Sequence, residues 1–264
     1  MQLAPAARLL MTEPTPAQPA PNTPAEQWLA RGAALAPDEL DCIERAVRTN
    51  LKLPGNTLLT TQHFARVRTL QRALYPITDA GMAWLAAKDS PLTALTELWL
   101  GETRITDQGL ACLAAKDSPL SALTLLFLSG TQVTDQGLAA LAAPNSPLTA
   151  LSALYLVRTQ VTDQGLAYLA AKDSPLTALT ALYLGRTQVT DQGLEALAAK
   201  DSPLTALTKL FLYETLVTDN GMAALAAKDS PLTALTDLDV RETWVSNQAI
   251  TELKQRFPNI TIYN

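Results

Sequence analysis

The stretch LYLGRTQVTDQGLEALAAKDSPLTAL, residues 182–207, recurs with small changes along most of the chain. An Ile or Val followed by Thr-Asp marks each copy every 28 residues, at Ile77, Ile105, Val133, Val161, Val189 and Val217. Val245 keeps the spacing, with Ser246 and Asn247 in place of Thr and Asp. A fixed period of this length predicts a solenoid in which each copy is one structural unit.

Each unit is predicted to contain one short strand followed by one helix. Residues 98–100, Leu-Trp-Leu, alternate apolar positions at period two, which predicts a strand with one buried face. Asp107 is predicted to cap a helix over residues 108–115, and the Asp-Ser-Pro sequence at 117–119 to end it. Neither element buries its apolar face alone, so neighbouring units must stack, with a parallel sheet inside and helices outside.

The leucine pattern resembles the leucine-rich repeat signature. Leu95-x-x-Leu98-x-Leu100-x-x-Thr103-x-Ile105 carries the resemblance. The 28-residue length and the following Thr-Asp-x-Gly-Leu-x-x-Leu-Ala are similar to the ribonuclease-inhibitor-like subclass. The resemblance covers residues 77–264 and implies an α/β horseshoe with a parallel β-sheet on the concave face and helices on the convex face. Thr stands where the family usually has Asn, whose side chain bonds to adjacent turns, and a Thr hydroxyl can also donate and accept.

Four regions are expected along the chain. Residues 1–25 form a Pro/Thr/Ala-rich segment that predicts a disordered tail. Residues 26–76 show helical spacing and are predicted to cap the open end of the solenoid. Residues 77–246 contain the 28-residue units, and the more polar residues 247–264 are predicted to close the other end.

Charge and composition argue against several classes of partner. The formal net charge is −5, with +2 in residues 1–76 (eight Lys/Arg, six Asp/Glu) and −7 in residues 77–264 (twelve against nineteen). An acidic solenoid is a poor match for a phosphate backbone, so no nucleic acid is expected as partner. No apolar run has the length of a membrane span, and the first residues lack the apolar core of a signal peptide. The two cysteines give no disulfide framework, so we expect a reducing compartment, the cytoplasm. We also expect a monomer.

Side chains that could carry out catalysis are scarce. His63 is the one histidine and lies outside the repeats, so no His-based metal site or Ser/His/Asp triad is expected within them. The Asp of each Thr-Asp pair is interpreted as a helix cap and not as a calcium ligand. Asp237, Asp239 and Glu242 are interpreted as a solvated acidic rim. The sequence therefore predicts no enzyme, no metal site and no cofactor.

The strand position between the two inward leucines holds aromatic side chains. Alternate side chains of a strand point to opposite faces, so this column is expected on the concave surface. The column contains Trp99, Phe127, Tyr155, Tyr183 and Phe211. Arg158, Arg186 and Tyr213 lie in the flanking columns. Interface hot spots favour aromatic and Arg side chains, so these residues are the predicted partner-binding set.

The sequence leaves several interpretations of this face open. Aromatic neighbours on adjacent strands also stabilise a sheet, by about 0.2–1 kcal/mol per pair, and Tyr and Trp also stack on sugars, as in a glycan-binding solenoid. The leucine-rich repeat resemblance implies a non-enzymatic scaffold with a protein partner, which is the predicted function. Pro/Thr-rich N-termini and leucine-rich repeats also occur in exported bacterial effectors. The stretch LAPDELDCI resembles the start of an F-box, so an exported effector, such as a ubiquitin-ligase adaptor, is an alternative.

Overall fold

Eight short parallel strands form one open sheet in the part of the chain that the computed structural model describes, residues 24–71 and 76–264. Their order in the sheet follows their order in the chain. The strands are β1 Thr69–Leu70, β2 Glu97–Trp99, β3 Leu125–Phe127, β4 Ala153–Tyr155, β5 Ala181–Tyr183, β6 Lys209–Phe211, β7 Asp237–Asp239 and β8 Thr261–Tyr263. This sheet, with its alternating helices, is the predicted leucine-rich repeat solenoid.

Helices alternate with the strands and form the second layer. The α-helices are α1 Pro24–Arg31, α2 Pro37–Leu51, α3 Thr61–Ala65, α4 Asp79–Leu85, α5 Asp107–Leu113, α6 Asp135–Leu141, α7 Asp163–Leu169, α8 Asp191–Leu197, α9 Asp219–Ala226 and α10 Asn247–Arg256. A 3₁₀ turn, Gly32–Ala34, follows α1. Helix α5 ends two residues before its predicted end, because the chain enters a turn in which the Ser118 N–H donates to the Ala115 carbonyl (2.8 Å).

Leucines at fixed positions of every unit fill the space between the two layers. Those of the β2 unit have no solvent exposure: Leu92, Leu95, Leu98 and Leu100. Complete burial of one such side chain stabilises the fold by about 1.5–3 kcal/mol. The other units contribute equivalent apolar side chains, with Val67 and Val240 replacing leucine at the two ends, so one apolar core extends from Trp28 in α1 to Ile260 beside β8.

Parallel pairing places equivalent repeat positions beside one another. Trp99 pairs with Phe127, and Phe127 pairs with Tyr155. The 28-residue period of the sequence therefore becomes columns of side chains that cross the strands. Strand β8 departs from this period, because Tyr263 pairs with Asp239, 24 residues before it.

The Asp of each Thr-Asp pair bonds to the helix of the following unit. Thr106 is the N-cap of α5, and its Oγ1 accepts from the Gln108 N–H (3.2 Å). Asp79 of the preceding unit accepts from the N–H groups of Thr106 (2.9 Å) and Gly109 (3.0 Å), and from the Thr106 hydroxyl (2.6 Å). The prediction that Asp107 caps its own helix was wrong, because Asp107 is the first helical residue and its carboxylate bonds to the start of α6.

We call this series the aspartate ladder: Asp79, Asp107, Asp135, Asp163, Asp191 and Asp219. Glu39 of α2 takes the same role for the first repeat, since its Oε1 accepts from the N–H groups of Thr78 (2.7 Å) and Gly81 (3.0 Å). At the other end Asp219 accepts from the Ser246 N–H (2.7 Å). The ladder joins the N-terminal helices, the repeats and α10, and each of its carboxylates accepts from the unit that follows it in the chain.

Two Thr columns bond to the inner turns. Thr103 donates its hydroxyl to the Leu100 carbonyl of its own turn (2.5 Å), so this column does not bridge turns as Asn does in the family. The bridging bonds come from the position before each strand. Thr124 Oγ1 donates to the Thr96 carbonyl one unit earlier, and Ser152 Oγ donates to the Thr124 carbonyl (both 3.0 Å).

Three aromatic rings join the N-terminal helices to the first repeat. Trp28 of α1 stacks on Trp84 of α4 with 4.1 Å between ring centroids, and Phe64 meets both rings edge-on. Each tryptophan Nε1–H donates to the backbone carbonyl of the other (2.6 and 2.8 Å). His63 forms a capping box with Thr60 at the start of α3, which gives this histidine a structural role.

The predicted disordered tail, residues 1–25, lies outside the described residues apart from residues 24 and 25, which begin α1. Residues 72–75 of the predicted N-terminal cap also lie outside them. None of the helices in the described ranges is long and apolar enough to cross a membrane.

Candidate binding face

Side chains from five consecutive strands form a column on the concave face that we call the aromatic stack: Trp99, Phe127, Tyr155, Tyr183 and Phe211. In that order the ring centroids are 5.0, 5.2, 3.9 and 4.6 Å apart, with interplanar angles of 21°, 35°, 7° and 8°. The leucines on either side of each ring are fully buried and hold the column in line. Each such pair contributes about 0.5–1.5 kcal/mol beyond the burial of area.

The stack presents ring edges to solvent. The rings lie 3.9–5.2 Å apart, and Tyr155, Tyr183 and Phe211 are nearly parallel, which leaves no space for another group between neighbouring rings. The faces of Phe127, Tyr155 and Tyr183 are therefore covered by their neighbours. The exposed edges carry the positive part of the ring quadrupole, which favours oxygen atoms of a ligand.

Tyr183 lies inside the stack, between Tyr155 and Phe211, and its environment alters its acidity. Burial raises the pKa of Tyr183 to about 12, with smaller contributions from a hydrogen bond and the charge of Tyr155 and from the charge of Asp237. The Tyr183 hydroxyl therefore keeps its proton at neutral pH.

An open groove of about 690 Å³ lies beside the stack. It is lined by Trp99, Gly101, Glu102, Thr103, Phe127, Ser129, Tyr155, Val157, Arg158, Tyr183, Arg186 and Tyr213. Seven of the eight predicted residues thus line one groove. Phe211 stacks on Tyr183 but lies outside the lining.

A column of residues with left-handed backbone crosses the repeats, and three of them, Glu102, Arg158 and Arg186, line the groove; we call this column the charged rim. Its members are Glu102, Gly130, Arg158, Arg186, Glu214 and Glu242. The five charged residues have φ of 52–59°, and Gly130 has φ of 73°. This conformation costs a non-glycine residue roughly 1–2 kcal/mol. Arg and Glu stand there in spite of this strain, and strained backbone is concentrated at functional sites.

Both predicted arginines are paired within the chain. Arg158 donates to the Glu102 carboxylate two units earlier. Arg186 donates through Nε and Nη2 to one carboxylate oxygen of Glu214 in the next unit (2.8 and 2.7 Å). The hydrogen bond and charge of Glu214 raise the pKa of Arg186. A side chain at Gly130 would clash with the Glu102 carboxylate, so glycine leaves room for the longer pair.

Two glycines accommodate rings of the following unit. A Cβ at Gly101 would clash with the Phe127 ring, and a Cβ at Gly185 would clash with the Tyr213 ring. Tyr213 therefore lies over Gly185 and reaches the groove lining. Both glycines stand two positions after a ring of the stack, and Gly185 also lies 28 residues before Tyr213. A glycine at this repeat position was the sequence signal for this packing.

The closing strand adds a ring that the sequence analysis missed. The Tyr263 centroid lies 6.5 Å from that of Phe211. Asp239 occupies the intervening strand, is 1% exposed, and accepts from Arg241 Nε and Nη2 at 2.9 and 2.6 Å. The predicted solvated acidic rim is therefore wrong for Asp239, because its carboxylate is buried and paired. The alternation in ITIY, residues 260–263, was the available signal.

Two exposed apolar side chains near the end of the repeats were also missed. Trp244 is 75% exposed and Leu216 is 55% exposed. Earlier units hold polar residues at this position: Arg104, Gln132, Gln160 and Gln188. The change from polar to apolar at 28-residue spacing was visible in the sequence.

Metal-binding clusters and reactive thiols are the remaining chemical groups to consider in the described part of the chain. Among residues 24–71 and 76–264, no group of three or more His, Cys, Asp or Glu side chains could hold a metal ion. Burial, with the charge of Glu39, raises the pKa of Cys42 to about 11, and burial raises the pKa of Cys112. A thiol with a raised pKa is a weak nucleophile at neutral pH.

Comparison with known proteins agrees with this fold. A model of the leucine-rich repeat family matches residues 176–198. The solved structure of internalin C2 from Listeria monocytogenes has 26% sequence identity and a TM-score of 0.56, with 84% of this chain and 81% of that chain covered. A Listeria monocytogenes internalin-like protein has 12% identity and a TM-score of 0.51, with coverage of 78% and 55%. A search of curated proteins gave no match.

The repeats, the sheet and these matches together show a leucine-rich repeat fold. These similarities support an interaction scaffold in general terms.

Proposed function

We propose that this protein is a non-enzymatic scaffold that binds a protein partner on its concave face. The observation that carries the proposal is the aromatic stack along an open groove. The proposed contact residues are Trp99, Phe127, Tyr155, Tyr183, Phe211, Arg158, Arg186 and Tyr213.

Preorganisation of this face supports the proposal. Stacking fixes the rings, and the aspartate ladder fixes each unit against the next. A surface that is already ordered loses little conformational entropy when a partner binds. Aromatic and Arg side chains are also the types that dominate binding energy at protein interfaces.

The orientation of the rings favours a protein over a glycan. Sugars stack on ring faces, and the faces of Phe127, Tyr155 and Tyr183 are covered by neighbouring rings. Ring edges can still pack against the side chains and carbonyl oxygens of a protein. The net charge of −5 likewise supports a protein partner over a nucleic acid.

The proposal includes a repeat subclass, an assembly state and a location. The 28-residue unit, with a helix in each turn, supports the ribonuclease-inhibitor-like subclass. We propose a monomer in the cytoplasm, which light scattering and cell fractionation would check.

Affinity capture from a lysate of the source cells tests the proposed face. The bait would be the full chain, compared with Tyr155→Ala/Tyr183→Ala, which removes two central rings, and with Tyr155→Phe/Tyr183→Phe, which keeps them. Lys172→Ala/Lys200→Ala, at two exposed positions after the repeat helices, is the matched control. Circular dichroism would first establish that all baits fold alike.

A protein captured by the wild type, the Phe variant and the Lys control, but lost from the Ala variant, is the expected result. Retention of that protein by the folded Ala variant would remove the concave face from consideration as its docking surface.

A further inference from the structure

Arg158 and Arg186 occupy consecutive positions of the charged rim, in neighbouring units of the same groove. Neighbouring strands are about 4.8 Å apart, so two cations begin side by side. Their side chains diverge: Arg158 pairs with Glu102 towards the N-terminus, and Arg186 pairs with Glu214 towards the C-terminus. The two acids thus hold the guanidinium groups apart in the free protein.

Each guanidinium keeps hydrogen-bonding capacity after this pairing. Both side chains are half-exposed. Arg186 uses Nε and Nη2, and Arg158 uses Nη2. A guanidinium has five N–H donors, so both retain donors, and a carboxylate that contacts both must draw them away from Glu102 and Glu214.

The groove between the rim and the stack also favours an acceptor. Its other wall is lined by the rings of the stack, whose edges carry positive partial charge. A cationic ligand would instead approach two guanidinium groups of its own sign of charge.

The dimensions fit an extended segment. The lining extends over five units, from Trp99 to Tyr213, so its four intervals span about 19 Å at the usual strand spacing. An extended chain rises about 3.3 Å per residue, so the groove accommodates about six residues.

We infer that the groove binds an extended peptide segment whose carboxylate lies between Arg158 and Arg186. This inference rests on the proposed function and specifies the chemistry of the partner. The carboxylate can come from an Asp or Glu side chain or from a peptide C-terminus, because both offer the same two oxygens. Glu102 and Glu214 compete with the peptide carboxylate for the two arginines. This competition lowers the affinity for every peptide and so excludes those with few other contacts.

Selection from two random-peptide libraries on the immobilised full chain tests the inference. In one library the peptide C-terminus is fused to the display protein, so carboxylates come from side chains. In the other library the C-terminus is free. We expect enrichment of Asp or Glu in the first library, or of peptides dependent on a free C-terminus in the second; either result supports the carboxylate, and together they identify its source.

Three variants then locate the binding of a selected peptide. Arg158→Gln/Arg186→Gln is expected to weaken it about tenfold to hundredfold, as loss of charge-assisted hydrogen bonds does. Lys172→Gln/Lys200→Gln is the control. It also removes two positive charges, but outside the groove, and is expected to change the affinity less than about threefold. Glu102→Gln frees Arg158 and is expected to tighten binding by a similarly small factor.

Failure of the inference differs from failure of the proposed function. Selected peptides that lack a carboxylate, or that bind Arg158→Gln/Arg186→Gln as well as wild type, overturn the inference. If such peptides are still lost on Tyr155→Ala/Tyr183→Ala, the concave face remains a binding face with different chemistry. Failure to select any groove-dependent peptide overturns the peptide groove, and the lysate capture then decides the proposed function separately.

Discussion

Replacement of Asp163 by Ala is expected to test the aspartate ladder in the middle of the solenoid. Asp163 accepts from the Thr190 N–H (2.7 Å), the Thr190 hydroxyl (2.7 Å) and the Gly193 N–H (3.0 Å). The alanine variant removes all three acceptor contacts and leaves the start of α8 without its inter-unit partner. Asp163→Asn keeps one carbonyl oxygen for the two N–H groups.

The expected loss lies between two limits. A helix cap contributes about 0.5–2 kcal/mol, whereas three hydrogen bonds to a charged acceptor sum to about 4.5–9 kcal/mol. The site is half-buried, so water replaces part of the lost bonding and the larger limit does not apply. We therefore expect a free energy of unfolding lower by about 2–3 kcal/mol for Asp163→Ala, and by about half of that for Asp163→Asn.

Urea unfolding followed by far-ultraviolet circular dichroism measures this loss. The stability of a solenoid is the sum of unit and interface terms, so a weakened central interface also broadens the transition and lowers its slope. Asp173→Ala, at an exposed position outside the ladder, is the control and is expected to change stability by less than about 0.5 kcal/mol. An Asp163→Ala curve that overlays the Asp173→Ala curve would refute the reasoning.

Three further changes test the stack, the groove and the N-terminal helices. Stability is expected to fall as pH rises from 10 towards 12, because Tyr183 has a pKa of about 12 when folded and an ordinary value near 10 when unfolded. Denaturant titrations across this range should show a smaller loss for Tyr183→Phe than for Tyr168→Phe. Gly185→Ala should cost about 1–3 kcal/mol by overpacking, and a double-mutant cycle with Tyr213→Ala should recover most of it. Trp28→Ala should cost about 3–5 kcal/mol, with hydrogen exchange accelerating first in α1–α4; uniform acceleration along the chain would contradict this.

The fold was predictable because one period sets both elements and their register. The alternation around Trp99 placed two leucines in the core and the ring on the opposite face, and the spacing to Phe127 placed both rings on neighbouring strands. Tyr263 escaped because the closing strand breaks the period, so spacing alone gives it no column.

The contacts between units were less predictable than the units themselves. The sequence of a Thr-Asp pair does not tell whether the Asp carboxylate bonds within its own unit or to the next unit. The spacing of the units decides between these two partners. The pairing of Arg158 with Glu102, across Gly130, likewise depends on a side-chain path that spacing does not encode. The repeat positions that form the site were predictable from the sequence. The partners of its ion pairs could be identified only from the three-dimensional structure.

The one-directional bonding of the aspartate ladder has an evolutionary consequence. Each unit presents an acceptor to its successor and receives one from its predecessor, so the N-cap Thr of each repeat helix is held in the same way at every internal junction. Duplication or loss of a whole 28-residue unit would therefore preserve the ladder, and within the groove it would change the groove length by about 4.8 Å. Gain or loss of whole units in the gene can thus change the length of ligand that the groove accommodates while the fold stays the same. The two ends of the ladder, Glu39 and Ser246, must remain.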